Sequence, residues 1–251
     1  KDYVTQWDDS PTRPPRLFFT EEEFARFRDT HSAEEAELEK LREAELSVWQ
    51  MGGPIGAWLA SGDRALGRHI GRFAQGRLQG AVDMYAKQDS FPTQGCDLPR
   101  HFNTVCFAAN VCDVALAEGN LPPEERQRML AQLAYLCYTI SSPTVISPER
   151  GYRANPNMTT STFCALGLVA CLIPNHPDAQ GWADRAIGEM RNELENWCGP
   201  NGGWIEAPHY MTVSMEALIP VAMALRGTDL TDTEWLYHPK LKKALAWLAK
   251  I

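Results

Sequence analysis

Apolar residues in this chain recur at spacings of three and four, the repeat of a helix with one buried face. Phe102, Val105, Ala109, Cys112 and Leu116 form one such stripe, and Leu130, Leu133, Ala134, Cys137 and Ile140 form the next. The polar stretch EGNLPPEE separates them and reads as a tight helix-to-helix turn. The pairing recurs with Phe163 to Leu172, the turn IPNHPD, and then Trp182, Ala186, Met190, Leu194 and Trp197. Met215 to Leu225 and Leu241 to Leu248 make a further pair. Strand-like alternation is nearly absent. The pattern predicts an all-α chain of antiparallel helical hairpins.

The first helix has its own start signal. Thr20-Glu21-Glu22-Glu23 is a capping-box sequence, and acidic residues suit the positive end of a helix. A long helix from Thr20 to about Gln50 is expected. Before it, the proline- and charge-rich DDSPTRPPRLFFT reads as an extended lead-in over residues 1–19. The helical domain is then 20–251.

Composition narrows the function. With 44% hydrophobic residues, 251 residues suffice for a large buried core. The formal charge of −8 and the lack of a dense basic run argue against a nucleic-acid or anionic-membrane surface. No apolar run reaches the roughly eighteen residues of a membrane span. Seven cysteines are scattered without a C-x-x-C pair and mostly fall inside helical stripes, so they read as small buried hydrophobes. No metal motif, glycine-rich phosphate loop or G-x-S-x-G is present, and no cofactor is expected. His31, His69 and His238 have no polar company in sequence, and His176 reads as turn surface.

Two connections are too long to be simple turns, and loops of that length inside compact domains are commonly functional. One, SSPTVISPERGYRANPNMTT, offers Arg150, Tyr152, Arg153, Asn155 and Asn157. The other, WCGPNGGWIEAPHY, offers Trp204, Glu206, His209 and Tyr210. They lie one hairpin apart, so stacked hairpins bring them to the same end. Arg100 and His101, ahead of another helix, reach the same mouth. Each residue has a second reading: Tyr210 as a packed amphipathic ring, His209 as a loop imidazole, Glu206 as a helix-start carboxylate, and Asn155-Pro156-Asn157 as turn and cap. Trp204 and Tyr152 could stack on sugar faces, or Trp204 could pin its loop to the core.

The succession RPPRLFFTEEEFARFR, helical hairpins, an asparagine-bearing loop and then NGGWIEAPHY before an apolar helix resembles the N-terminal part of the heparinase II/III and alginate lyase superfamily of polysaccharide lyases. The resemblance implies an incomplete (α/α) toroid, followed in the family by further helices and a β-sandwich. It implies an anionic, uronate-containing polysaccharide as substrate, and a periplasmic or secreted location. Tyr210 matches the family's catalytic tyrosine, and Asn157 or Asn155 its carboxylate-neutralising asparagine. Many members carry histidine directly after that asparagine, whereas here Met158 or Pro156 follows. The implied chemistry is β-elimination, with Tyr210 as acid and base, His209 as the separate base in an anti geometry, and Arg100, Arg150 and Arg153 beside the substrate. Two alternatives remain. A toroid glycoside hydrolase would need two carboxylates, with Glu206 and Glu149 the available pair. A non-catalytic helical-repeat binding protein would need a regular repeat, and none is visible.

Overall fold

A computed structural model describes residues 7–8, 17–47, 50–86, 109–143 and 156–251, the side chains of Met84 and Tyr85 excepted. Arg100, His101, Arg150, Tyr152, Arg153 and Asn155 lie outside the described residues, as do Cys96, Cys106 and most of the lead-in. The described chain forms ten α-helices and no strand.

The capping box forms as the sequence predicts. The Glu23 amide donates to Thr20 Oγ1 at 3.2 Å and the Thr20 amide to Glu23 Oε2 at 3.0 Å. That backbone bond holds the Glu23 carboxyl below its ordinary range. The expected long helix, however, is broken. Helix α1 runs Glu21–Thr30 and α2 runs Glu35–Glu43, with extended backbone between them. Thr30 ends α1 by turning its hydroxyl onto the carbonyls of Arg26 and Phe27, and the His31 ring stacks on Phe27 at 4.2 Å. Side chains that bond backward to the last turn compete with helix propagation.

Two helices that the apolar pattern did not mark follow, α3 (Gly52–Ser61) and α4 (Arg64–Ala86). Gly62 takes a left-handed φ of 66° between them, and Asp63 caps α4 by accepting the Leu66 amide at 2.7 Å. The next helix, α5, covers 109–116. Its buried Asp113 accepts the Leu17 amide at 3.0 Å, which ties the end of the lead-in to the core.

The remaining helices are α6 (Pro123–Ser141), α7 (Pro156–Leu172), α8 (Ala179–Asn196), α9 (Pro208–Leu225) and α10 (Pro239–Leu248). Helix α7 is the centre: fifteen of its seventeen residues are buried, and α6, α8 and α9 all pack on it. A helix covered on all sides cannot show an amphipathic stripe. Its directions relative to its neighbours follow from paired residues. Thr160 meets Ser214, and a Cβ on Gly167 would touch Val221, so α7 and α9 run parallel. Thr160 also meets Glu193, and Gly167 faces Ala186, so α8 runs antiparallel to α7. The N-terminal ends of α7 and α9 are therefore aligned, with α8 returning between them in the chain.

Cys112, Cys137, Cys164, Cys171 and Cys198 are buried and free, in keeping with their place in the stripes. Burial pushes the Cys112 thiol up to about 12, with Asp113 adding to the effect. His176 does not fit its expected place on the surface. It is buried between Trp7 and Trp182, with ring centroids 4.5 Å from each, and its Nδ1 accepts the Asp178 amide at 3.1 Å. The turn after α7 folds the imidazole inward, and Tyr138 closes the cluster by donating to the Asp178 carboxylate. Among the described residues no helix is long and apolar enough to cross a membrane.

Candidate functional site

The loop between α8 and α9 is built from a short turn. Gly202 donates to the Gly199 carbonyl at 3.0 Å across Pro200 and Asn201, and Gly199 donates to the Gly203 carbonyl at 2.7 Å. Cys198 and Trp204 face each other as an isolated antiparallel bridge. Proline suits the second position of such a turn because its φ is preset. Gly202 has a φ of 94°, and a Cβ there would lie 2.2 Å from the Lys243 carbonyl oxygen of α10. The backbones of loop and helix approach so closely that only glycine fits.

Trp204 is buried, edge-on to Trp197 at 6.1 Å between centroids. Of its two readings, the buried indole fits the pin that holds the loop to the core rather than an open sugar platform. Cys198 Sγ approaches the Lys240 carbonyl at 3.8 Å, and Lys240 Nζ donates to the Glu195 carbonyl at 3.1 Å. Helix α10 therefore braces the loop from behind.

Beyond this braced turn the chain reaches Glu206 and then Pro208 at the first position of α9, where a missing N–H costs nothing. Glu206 Oε1 accepts a 2.8 Å hydrogen bond from Asn157 Nδ2, in the first turn of α7. This bond joins the ends of the two long loops. Glu206 Oε2 is buried with no hydrogen-bond partner among the described residues. Asn157 is itself buried, and its carbonyl accepts the Ser161 hydroxyl at 2.9 Å.

Tyr210 stands in the first turn of α9 and is 48% exposed. His209 is also exposed, its ring tilted 5.3 Å from that of Tyr210. The structure thus brings Asn157, Glu206, His209 and Tyr210 to one end of the α7–α9 pair.

One turn deeper lies a polar cluster that the apolar pattern does not announce. Glu193, fully buried in α8, accepts the Thr160 hydroxyl at 2.7 Å, and Thr160 lies 3.4 Å from Ser214 Oγ. A signal for it does exist. Glu193 follows Met190 by three residues and Ala186 by seven, so it sits on the buried stripe of α8. A carboxylate on such a stripe must find donors inside the protein. Thr160 and Ser214 follow Asn157 and Tyr210 by three and four residues, so the cluster underlies the site. Among the described residues no three His, Cys, Asp or Glu side chains come together as metal ligands. The chain matches no protein-family model, and comparison with curated proteins finds no match.

Proposed function

We propose that this chain is the helical part of a polysaccharide lyase of the heparinase II/III and alginate lyase type, which cleaves a uronate-containing polysaccharide by β-elimination. The observation that carries this reading is the Asn157–Glu206 hydrogen bond. It sets the amide at the start of α7 beside the loop that presents Tyr210, half exposed, at the start of α9. The parallel α7–α9 pair with α8 antiparallel supports a row of stacked hairpins, the arrangement from which an (α/α) toroid is built.

In the reaction, the C5–H bond of a uronate breaks and its proton passes to a base. The electron pair forms the C4–C5 double bond, and the C4–O bond breaks with the oxygen taking up a proton. Charge develops on the uronate carboxylate, and the Asn157 amide donates to it there. Tyr210, as phenolate, removes the C5 proton and, as phenol, returns a proton to the leaving oxygen when both lie on one side. His209 serves as the base when they lie on opposite sides. Glu206 holds Asn157 in place instead of acting on the sugar. A hydrolase needs a second carboxylate facing the first; among the described residues Glu206 faces the Asn157 amide, and Glu149 lies outside them.

The test is turnover of alginate, glucuronan, heparan and chondroitin-type polymers, followed by the ultraviolet absorbance of the unsaturated product. Tyr210→Phe should lower the rate by about 10²- to 10⁴-fold, the worth of a positioned acid or base. An active wild type with an equally active Tyr210→Phe would refute the tyrosine mechanism. Reducing ends without the absorbance would mean hydrolysis, and binding without turnover on every polymer would mean a binding protein.

A further inference from the structure

Helix α4 carries Arg64, Arg68 and Arg72, four residues apart and all exposed. Four residues advance a helix by about 6 Å and rotate it by only about 40°. The three side chains therefore leave the helix in single file over about 12 Å. Leu66, Ile70, Ala74 and Leu78 bury the other side of the helix. The three arginines make no ion pair among the described residues.

The acid next to the row in sequence, Asp63, is engaged elsewhere, and the exposed Glu118, beside the Gly119 that faces Arg64, forms no ion pair with it. Both Asp63 oxygens accept from Arg42, at 3.1 and 2.7 Å, and Oδ1 also takes the Leu66 amide. At the far end of the helix, Asp83 accepts from Gln79 at 2.7 Å. The row also opposes its own helix. Like charges four residues apart repel, and Arg64 occupies the first turn, where the helix dipole favours acids and α4 has none. An external anion would relieve both effects.

We propose that this row binds a linear polysaccharide carrying an anionic group on successive sugars, at a surface separate from the Asn157–Glu206–Tyr210 site. Helix α4 packs mainly on α2, α3 and α6, not on α9. All three cations are arginine, whose planar fork pairs with carboxylate or sulfate through two parallel bonds. Single file suits a linear chain. A nucleic acid fits less well: a duplex calls for a broad basic surface, which a formal charge of −8 opposes, and a single strand calls for aromatic platforms. The other exposed positions of the row's face are Ala65, Gly76 and Gln79, which provide no apolar anchor for a protein partner.

The experiment is fluorescence anisotropy at low ionic strength with labelled oligogalacturonide, dextran sulfate, a single-stranded oligodeoxynucleotide and polyglutamate. Wild-type chain is compared with the triple variant Arg64→Gln/Arg68→Gln/Arg72→Gln, with Arg68→Gln alone, and with Tyr210→Phe. Each arginine is expected to contribute about threefold in affinity, as exposed charge pairs do, so the triple variant loses about thirtyfold and its salt dependence flattens. Loss of binding in the triple variant, whose Asn157 and Tyr210 are intact, separates this surface from the elimination site; Tyr210→Phe should bind as wild type. Preference between the carboxylated and sulfated probes identifies the anionic group. The triple variant should melt no lower than wild type because repulsion is removed. The proposal is overturned by unchanged binding in the triple variant, by no binding in wild type, by tighter binding of oligonucleotide or polyglutamate than of either polysaccharide, or by a triple variant that melts markedly lower. Should the triple variant not fold, a wild-type affinity in Arg68→Gln would overturn it equally.

Discussion

Replacing Gly202 by alanine tests whether the loop is braced by α10. Two costs combine. The φ of 94° is one that residues with a Cβ rarely adopt, a penalty of about 1–2 kcal/mol. The added Cβ would lie 2.2 Å from the Lys243 carbonyl oxygen and 2.7 Å from its carbon. Both are backbone atoms of a packed helix, so no side chain can swing away, and forcing them apart costs about 1–3 kcal/mol. Gly202→Ala should therefore destabilise the protein by roughly 2–5 kcal/mol, measured by equilibrium urea unfolding followed by circular dichroism. Gly203→Ala is the internal control. Its φ is not in the left-handed region, and its Cβ would meet only the Trp247 ring at 3.6 Å, ordinary contact. That variant should stay within about 1 kcal/mol of wild type. If the two variants unfold at the same urea concentration, the loop does not depend on α10, and the bracing argument fails.

Three other outcomes follow from the same structure. Asn157→Ala and Glu206→Ala, measured singly and together, should show a coupling of about 0.5–3 kcal/mol in stability; additive effects would mean that the 2.8 Å bond contributes nothing. His176 has its pKa lowered by burial from the ordinary 6.5. The unfolded chain thus takes up a proton there before the folded protein does, so the stabilisation is complete above pH 6.5 and declines as pH falls toward the depressed folded value. Melting curves against pH should show that His176→Phe reduces this loss on the acid side, and an unchanged acid limb would contradict it. Thr20→Ala should cost about 1 kcal/mol of stability by removing one half of the capping box, which thermal unfolding can read directly.

Much of this architecture is legible in the residues because each rests on local chemistry. The capping box needs only Thr20 and Glu23, three positions apart, and it forms. The apolar spacings in α6, α8, α9 and α10 encode one buried face each, and those helices appear where the spacings lie. Helix α4 is hard to read from local propensity because four poor helix formers, Gly67, Gly71, Gly76 and Gly80, lie beside its stripe of Leu66, Ile70, Ala74 and Leu78. At Gly67 a Cβ would collide with Asn120 at 2.1 Å. The break between α1 and α2 is not legible in the sequence because charged residues on both sides favour helix, while Thr30 and His31 end it by bonds back to the previous turn.

The site divides in the same way. The sequence by itself determined which chemistry-bearing residues gather in the loop before α9, since Glu206, His209 and Tyr210 are neighbours along the chain. It also determined the all-α class, because helical periodicity is a property of short stretches. Only the tertiary structure decided that Asn157 bonds Glu206, that Trp204 is a pin, that Glu193 lies buried beneath the site and that His176 turns inward. Each of these depends on which residues distant in sequence share a contact. Contacts of that kind are fixed by the packing of α7 against α8 and α9, and no local pattern of side chains encodes it.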